Sequence, residues 1–267
     1  MALTEIPVEL SSTPGIADSS NATAITIDSS EQVGIGVSPA ARLHAYSNSA
    51  ETLRLEGNDE YTYLSFKGTV SSSATSLGLI GYANQSGTAA DLNIENTQNG
   101  AMTFATNDTI RMTIDANGHV TKPAQPAFQV RKSGNQDNLG VSSTTTITFD
   151  TEVFDVGSNF NNASSTPAYA FTAPVTGKYQ FNFHLRLENL DTAASFYQLK
   201  IVTSNRSYIF TLDPNGFSTD LDYYSVAYSA LADMDASDTA YLTIIQSGGT
   251  SQTDIHVETY FSGYLVA

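Results

Sequence analysis

Cysteine and tryptophan are both absent from this 267-residue sequence. Without a thiol there is no disulfide, no thiolate metal centre and no cysteine nucleophile, and the compartment is left undecided. Positive charge is scarce too: 11 Lys and Arg stand against 27 Asp and Glu, a net charge of -16. The deficit is even, since residues 1–125 carry 5 basic and 13 acidic groups and residues 126–267 carry 6 and 14. A nucleic-acid partner would meet long-range repulsion where such binding needs counterion-releasing attraction, so nucleic acid is not expected as a partner. No run approaches the roughly 18 apolar residues of a membrane span, and the opening MALTEIPVELSSTPG lacks the basic and apolar regions of a secretory signal. Neither membrane insertion nor Sec export is expected, and release by lysis, as for virus particles, would still place the protein outside a cell.

Aromatic residues are nearly missing from the first part of the chain. Residues 1–125 hold six of the 27 Phe and Tyr (Tyr46, Tyr61, Tyr63, Phe66, Tyr82, Phe104), and residues 126–267 hold the other 21. An ordinary hydrophobic core is expected only in the second part. The first is rich in Ser, Thr, Asn, Gly and Ala, and its strand-like pieces AITI, TLRLEG, YTYLSF, SLGLIGY, DLNIEN, AMTFAT and IRMTID are separated by turn residues. Such strands bury too little in one chain to offset an ordering entropy of about 1–2 kcal/mol per residue. They call for neighbours, and copies of the same chain are the simplest ones.

A weak repeat runs through this part. Thr26, Ile27 and Asp28, followed by Val33, recur 87 residues later as Thr113, Ile114 and Asp115, followed by Val120. Each reads as a strand, an Asp-led turn and a returning strand, and Asn117-Gly118 suits a tight turn because both residues tolerate positive φ. The offset is too long for a solenoid, so the pair reads as two hairpins bracketing one module. Pro123 and Pro126 then forbid helix and favour an extended neck over residues 122–127.

From Phe128 onward the pattern is all strand: TITF, AYAF, KYQFNFHLRL, FYQLKIV, SYIFTL, YYSVAYSAL, AYLTII, DIHVETYF and GYLV, broken by Gly, Asn, Asp and Pro. Eight to ten strands in about 140 residues indicate a sandwich or jelly roll. Its clearest strand puts Tyr179, Phe181, Phe183, Leu185 and Leu187 on one face and Lys178, Gln180, Asn182, His184 and Arg186 on the other. The apolar face must be buried; the polar one is directed toward solvent or toward a neighbouring subunit.

Several of these residues carry a family likeness. Pro126-Ala127-Phe128, the ITFD stretch at 147–150, Phe160, FTAPVTGKYQF at 171–181 and FSGYLV at 261–266 together resemble the globular head of complement component 1q and its tumour-necrosis-factor-like relatives. The resemblance implies a ten-stranded jelly roll that forms a homotrimer, with relatives that often bind calcium. Residues 25–45 (ITIDSSEQVGIGVSPAARLHA) and 111–128 (RMTIDANGHVTKPAQPAF) are similar to segments of bacteriophage tail fibres and related virion proteins. Many such fibres end in a self-cleaving chaperone; this chain ends in the complement-like head, so autoproteolysis is not carried over. The expected class is all-β, a fibrous β-rich trimeric stalk followed by a ten-stranded jelly-roll head. Its parts are an N-terminal virion-attachment segment at 1–20, a stalk at 21–121, the proline neck at 122–127 and the head at 128–267.

Sites of chemistry are few. Glu56, Asp59 and Glu60 lie close enough for a glycosidase pair, but in a turn-like NDE stretch of an acidic protein they read as solvated charge. The four histidines, His44, His119, His184 and His256, show no metal-ligand spacing, and neither His184 nor His256 is assigned a role. VGIGV at 33–37 lacks the third glycine and the following helix of a nucleotide loop. Asp233, Asp235 and Asp238 read as an ordinary turn. The segment 213–224 is the richest loop, because Asn215, Phe217, Asp220, Asp222 and Tyr223 combine a DPNG turn, acids and aromatics suited to stacking on sugar rings and bonding hydroxyls. The same oxygens suit a Ca²⁺ ion, yet no ligand set and no cofactor is assigned. These five residues are the receptor-binding candidates, beside the alternative that Phe217 covers the core edge and the acids keep the loop wet.

The expected function is a non-enzymatic homotrimeric fibre of a bacteriophage particle, held to a tail or baseplate protein at its amino terminus. Its head adheres to a host cell-surface glycan or protein, with three heads per fibre turning weak contacts into firm attachment. The alternatives are a capsid fibre, a decoration protein or a tail-needle tip whose head mainly trimerises, and a polysaccharide depolymerase. Folding and trimerisation are expected to be linked.

Overall fold

The computed structural model describes residues 25–47, 52–54, 62–70, 73–83 and 91–267. The proposed attachment segment at 1–20 and the acidic trio Glu56, Asp59 and Glu60 lie outside the described residues. The chain divides into two compact units, Met1–Gly100 and Ala101–Ala267.

The first unit holds two three-stranded sheets. Strands β1 (Ile25–Ile27), β2 (Val33–Ile35) and β3 (Leu43–Ala45) form one, and β4 (Thr62–Val70), β5 (Ser73–Ala83) and β6 (Asp91–Asn96) form the other, an antiparallel meander. The second unit opens with a third such sheet, β7 (Met102–Thr106), β8 (Thr109–Ile114) and β9 (Val120–Thr121). Among the residues before Pro126 whose burial is described, Gly34 alone is buried.

The two T-I-D segments form the same turn. Asp28 Oδ1 accepts the amides of Ser30 at 2.8 Å and Gln32 at 3.0 Å, and Asp115 Oδ1 accepts those of Asn117 at 2.8 Å and His119 at 2.9 Å. Ile27 pairs with Val33 and Ile114 with Val120. The fourth turn residue takes positive φ in both, Glu31 at 60° and Gly118 at 87°. An Asx-type turn at one end and a left-handed residue at the other is a common three-to-five-residue hairpin solution, which explains why the repeat keeps the aspartate and varies the residues after it.

From Ala127 the chain builds two antiparallel sheets. The first runs β12 (Thr151–Val156), β10 (Ala127–Arg131), β21 (Tyr260–Leu265), β15 (Gly177–Leu190), β18 (Leu221–Met234), with the short β20 (Asp254–Ile255) also on β15. The second runs β13 (Phe160–Asn161), β14 (Ala170–Thr172), β19 (Thr239–Ser247), β16 (Phe196–Thr203), β17 (Ser207–Leu212), with β11 (Thr144–Thr146) added on β19. Five strands per sheet give the expected ten-stranded jelly roll, and β11 and β20 are extras.

Alternation along β15 explains how the sheets meet. Tyr179, Phe181, Phe183, Leu185 and Leu187 are all buried between them, while Lys178 and His184 are exposed. Phe181 joins Phe128, Phe160, Phe171 and Phe261 in an aromatic cluster; Phe128 stacks on Phe171 at 4.8 Å and meets Phe261 edge-on at 5.1 Å. Gly263 pairs with Phe128 on one side and Phe181 on the other, and a Cβ there would lie 2.6–2.8 Å from those two rings. The glycine of FSGYL is thus the space that the cluster occupies. The Tyr179 hydroxyl donates to Val175 O at 2.8 Å, so APVTGKY closes on itself across the entry to β15.

Two expectations differ in detail. The neck is a turn and not an extended segment: the Gln125 amide donates to Lys122 O at 3.0 Å, with Pro123 supplying the fixed φ that position i+1 of a turn needs. DIHVETYF is two strands, because the chain leaves β20 after Ile255 and rejoins at Tyr260, with Thr259 buried between them and its hydroxyl accepting the Arg186 amide at 3.2 Å.

Candidate loop apex of the head

Strand β15 starts beside the neck. Gly177 abuts Leu265 and Ala267, and Leu265 donates to Pro126 O at 3.0 Å. Thirteen residues later β15 ends at Leu190, about 43 Å away at roughly 3.3 Å per residue. The loops 189–195, 213–221 and 248–254 gather at this far end. The acids of the turn 233–238 belong to the near end, where the Asp235 amide donates to Asp238 Oδ2 at 2.8 Å, as an ordinary turn does.

Hydrogen bonds tie the far loops together. Asp191 is buried; its carboxylate accepts the Ala193 amide at 2.8 Å, the Thr250 hydroxyl at 3.0 Å and the Thr250 amide. The Tyr197 hydroxyl lies 2.7 Å from Thr253 Oγ1 and accepts the Asp191 amide at 3.0 Å, and burial raises its pKa above the usual phenol value. Asp220 joins all three loops: Oδ1 accepts the Thr192 amide at 2.8 Å and hydroxyl at 2.7 Å, and Oδ2 accepts the Gln252 amide group at 2.8 Å. The Thr192 amide, its hydroxyl and then Gln252 hold the Asp220 carboxyl below the ordinary value.

The other loop candidates divide by face. Asp213 caps the 3-10 turn Pro214–Gly216, accepting Asn215 N at 2.9 Å and Asn215 Nδ2 at 2.7 Å. Both bonds lower its pKa, the backbone one foremost. Phe217 meets Tyr224 edge-on at 5.8 Å, and Tyr224 packs on the core. Asp222 and Tyr223 open β18, and Tyr223 points the opposite way from Tyr224, onto the outer face of the first sheet. Phe217 and Tyr223 are both exposed but do not form one platform.

Tyr223 lies in a charged cluster that spans 72 residues of sequence. The Arg186 guanidinium sits 4.6 Å above its ring; Arg186 pairs with Glu258 and, at 3.5 Å, with Glu188. His256 lies 3.5 Å from Glu188 and 3.8 Å from Glu258. Alternation along β15 marks Arg186 and Glu188 as sharing an outer face, whereas the arrival of His256 and Glu258 depends on the pairing of Ile255 with Leu187, which no local pattern encodes. Among the described residues no three of His, Asp and Glu are grouped so as to hold a metal ion, and no helix is long and apolar enough to cross a membrane.

The sequence profile of the C1q domain matches residues 127–266. No curated protein matches the chain. Solved structures that match include the globular domain of zebrafish complement 1qA, at 20% identity and a TM-score of 0.40, covering 54% of this chain and 98% of that one. Murine APRIL matches at 10% identity and a TM-score of 0.37, covering 53% and 99%. The PRD1 vertex protein P5 matches at 13% identity and a TM-score of 0.37, covering 54% and 99%.

Proposed function

The chain belongs to the C1q domain family through residues 127–266, and from that premise we propose that it is a homotrimeric virion fibre whose head adheres to a receptor on a bacterial host. C1q domains are generally binding or structural modules and not enzymes, and they typically form trimers. The observation that carries the reading is the division of the chain: sheets whose described side chains form no core of their own precede a head whose loops gather at the end away from the neck. The likeness of residues 25–45 and 111–128 to phage fibre segments supplies the virion setting.

In this reading Phe217, Asp222 and Tyr223 touch a surface glycan or protein, and Asn215 and Asp220 position the loop that presents them. A glycan is favoured by the pairing of an exposed aromatic ring with carboxylates and an arginine around it. The proposed sites of action are the virion and, after lysis, the medium.

Adsorption of labelled full-length protein to a panel of bacterial strains tests this. On any strain that binds it, Tyr223→Ala with Phe217→Ala is expected to weaken adsorption about tenfold or more, the scale of a lost aromatic anchor, with the sedimenting species unchanged. Adsorption that survives the double substitution overturns the assignment of the apex. A wild-type chain that sediments as a monomer overturns the fibre.

A further inference from the structure

Among the side chains described, each of the three small sheets before the neck has one face that is mostly apolar and free of carboxylates, and in the first two sheets it carries no charge of either sign. In β1–β3, Ile25 pairs with Ile35 and Ile27 with Val33, which pairs with Leu43, so all five share a face; Thr26 and His44 lie on the reverse. In β4–β6, Leu64 pairs with Ile80 and Ile80 with Ile94, with Phe66 and Leu92 on the same side. The reverse there carries Ser65, Lys67, Asn93 and Glu95. In β7–β9, Phe104 pairs with Met112 and Ile114 with Val120, with Met102 beside them; the bulge after Phe104 brings Arg111 to this side, where its Nε donates to Thr106 Oγ1 at 3.0 Å, and sends Ile110, the partner of Ala105, to the reverse with Thr103 and Thr113. Eleven large apolar residues on these faces are exposed by 38–70%.

We infer that these three faces form the interior of the assembly, each closed by the same face of two further copies of this chain. The inference rests on the trimeric reading above and names the surface that reading requires. Three observations select a second copy as the occupant. The first is charge: the chain is acidic throughout, and like chains approach with least repulsion through faces whose described side chains include no carboxylate. The second is area. At this exposure each side chain offers on the order of 90 Å², so eleven offer roughly 1,000 Å² per chain and three chains roughly 3,000 Å², within the obligate range of about 2,000–5,000 Å². The third is order along the chain. A partner must present an apolar surface to three successive sheets, and another copy does so in the same sequence, tethered through the head at high effective concentration.

The lack of native cysteine makes the test direct. Single-cysteine full chains carry Ile80→Cys or Phe104→Cys on the apolar faces and Lys67→Cys or Thr103→Cys on the reverse. With trimers confirmed by sedimentation, the first pair is expected to react with a maleimide at least about tenfold more slowly than the second, since thiol reactivity follows exposure. Mild oxidation is expected to link two chains through Ile80→Cys and none through Lys67→Cys. Equal reactivity of both pairs in a particle that still sediments as a trimer overturns the assignment and leaves the trimer standing; a monomeric wild type removes both. Should the cysteine chains fold poorly, Leu92→Asp against Glu95→Gln decides: the first is expected to raise the dissociation concentration at least about tenfold and the second to leave it unchanged, and equal effects overturn the assignment.

Discussion

Lys132 is a cation the head buries completely, at 2% exposure, and every group its ammonium touches is neutral. It donates to Thr148 Oγ1 at 2.9 Å and to Thr148 O and Gln136 Oε1 at 3.2 Å. Burial pushes its pKa down to about 8, against a smaller upward pull from Asp150 and Asp137. A lowered lysine pKa means that between about 8 and the ordinary value near 10.4 the folded chain holds fewer protons than the unfolded one, so stability rises with pH across that window. Below it the cost of the buried charge is complete and constant. Above about pH 10 the buried Tyr179 and Tyr197, whose pKa values burial raises, act in the opposite sense. The stability of the wild type minus that of Lys132→Met is therefore expected to climb by up to roughly 3 kcal/mol between about pH 8 and 10. Denaturant unfolding at several pH values measures it, and a flat difference would mean that the ammonium is solvated.

At the scale of elements, the two Asp-led hairpins differ at one decisive position, Glu31 against Gly118. A Cβ at Gly118 would meet nothing within 4 Å, so Gly118→Ala isolates the cost of a left-handed residue, about 1 kcal/mol. It is expected to speed amide exchange of Asp115, which donates to His119 O, about fivefold. Glu31→Gly is expected to slow exchange of Asp28, the matching amide, and unchanged rates in both would place the strain elsewhere. These hairpins, the β15 alternation and the packing of FSGYL are legible in the sequence because each is set by residues a few positions apart or by a period of two. The neck turn is not, since prolines restrict φ without choosing between extension and a turn. Nor is the Arg186 cluster, which depends on a strand register reaching from Leu187 to Ile255. The segment 213–224 reads in sequence as a turn with acids and aromatics grouped for a sugar ring, whereas strand alternation sends Tyr223 and Tyr224 to opposite faces once β18 begins at Leu221.

At the scale of the whole molecule, two opposed forces meet in the proposed trimer. Each chain brings a charge of -16, so assembly concentrates acid, while the apolar faces of the three small sheets draw the chains together. Salt separates the two forces: the Debye length falls from about 30 Å at 0.01 M to about 8 Å at 0.15 M, which screens the repulsion, whereas apolar burial is not weakened by it. Were interchain ion pairs the main attraction, the same change would loosen the trimer. With 11 cations against 27 acids per chain, and Lys178, Arg186 and Arg206 already paired with acids of the same chain, positive charge is the minority available to bridge copies. Raising the salt across this range is therefore expected to lower the concentration at which the trimer dissociates by about tenfold or more. Sedimentation of a dilution series at the two ionic strengths measures it, and a trimer that dissociates more readily at about 0.15 M would assign the interface to charge instead of to the apolar faces.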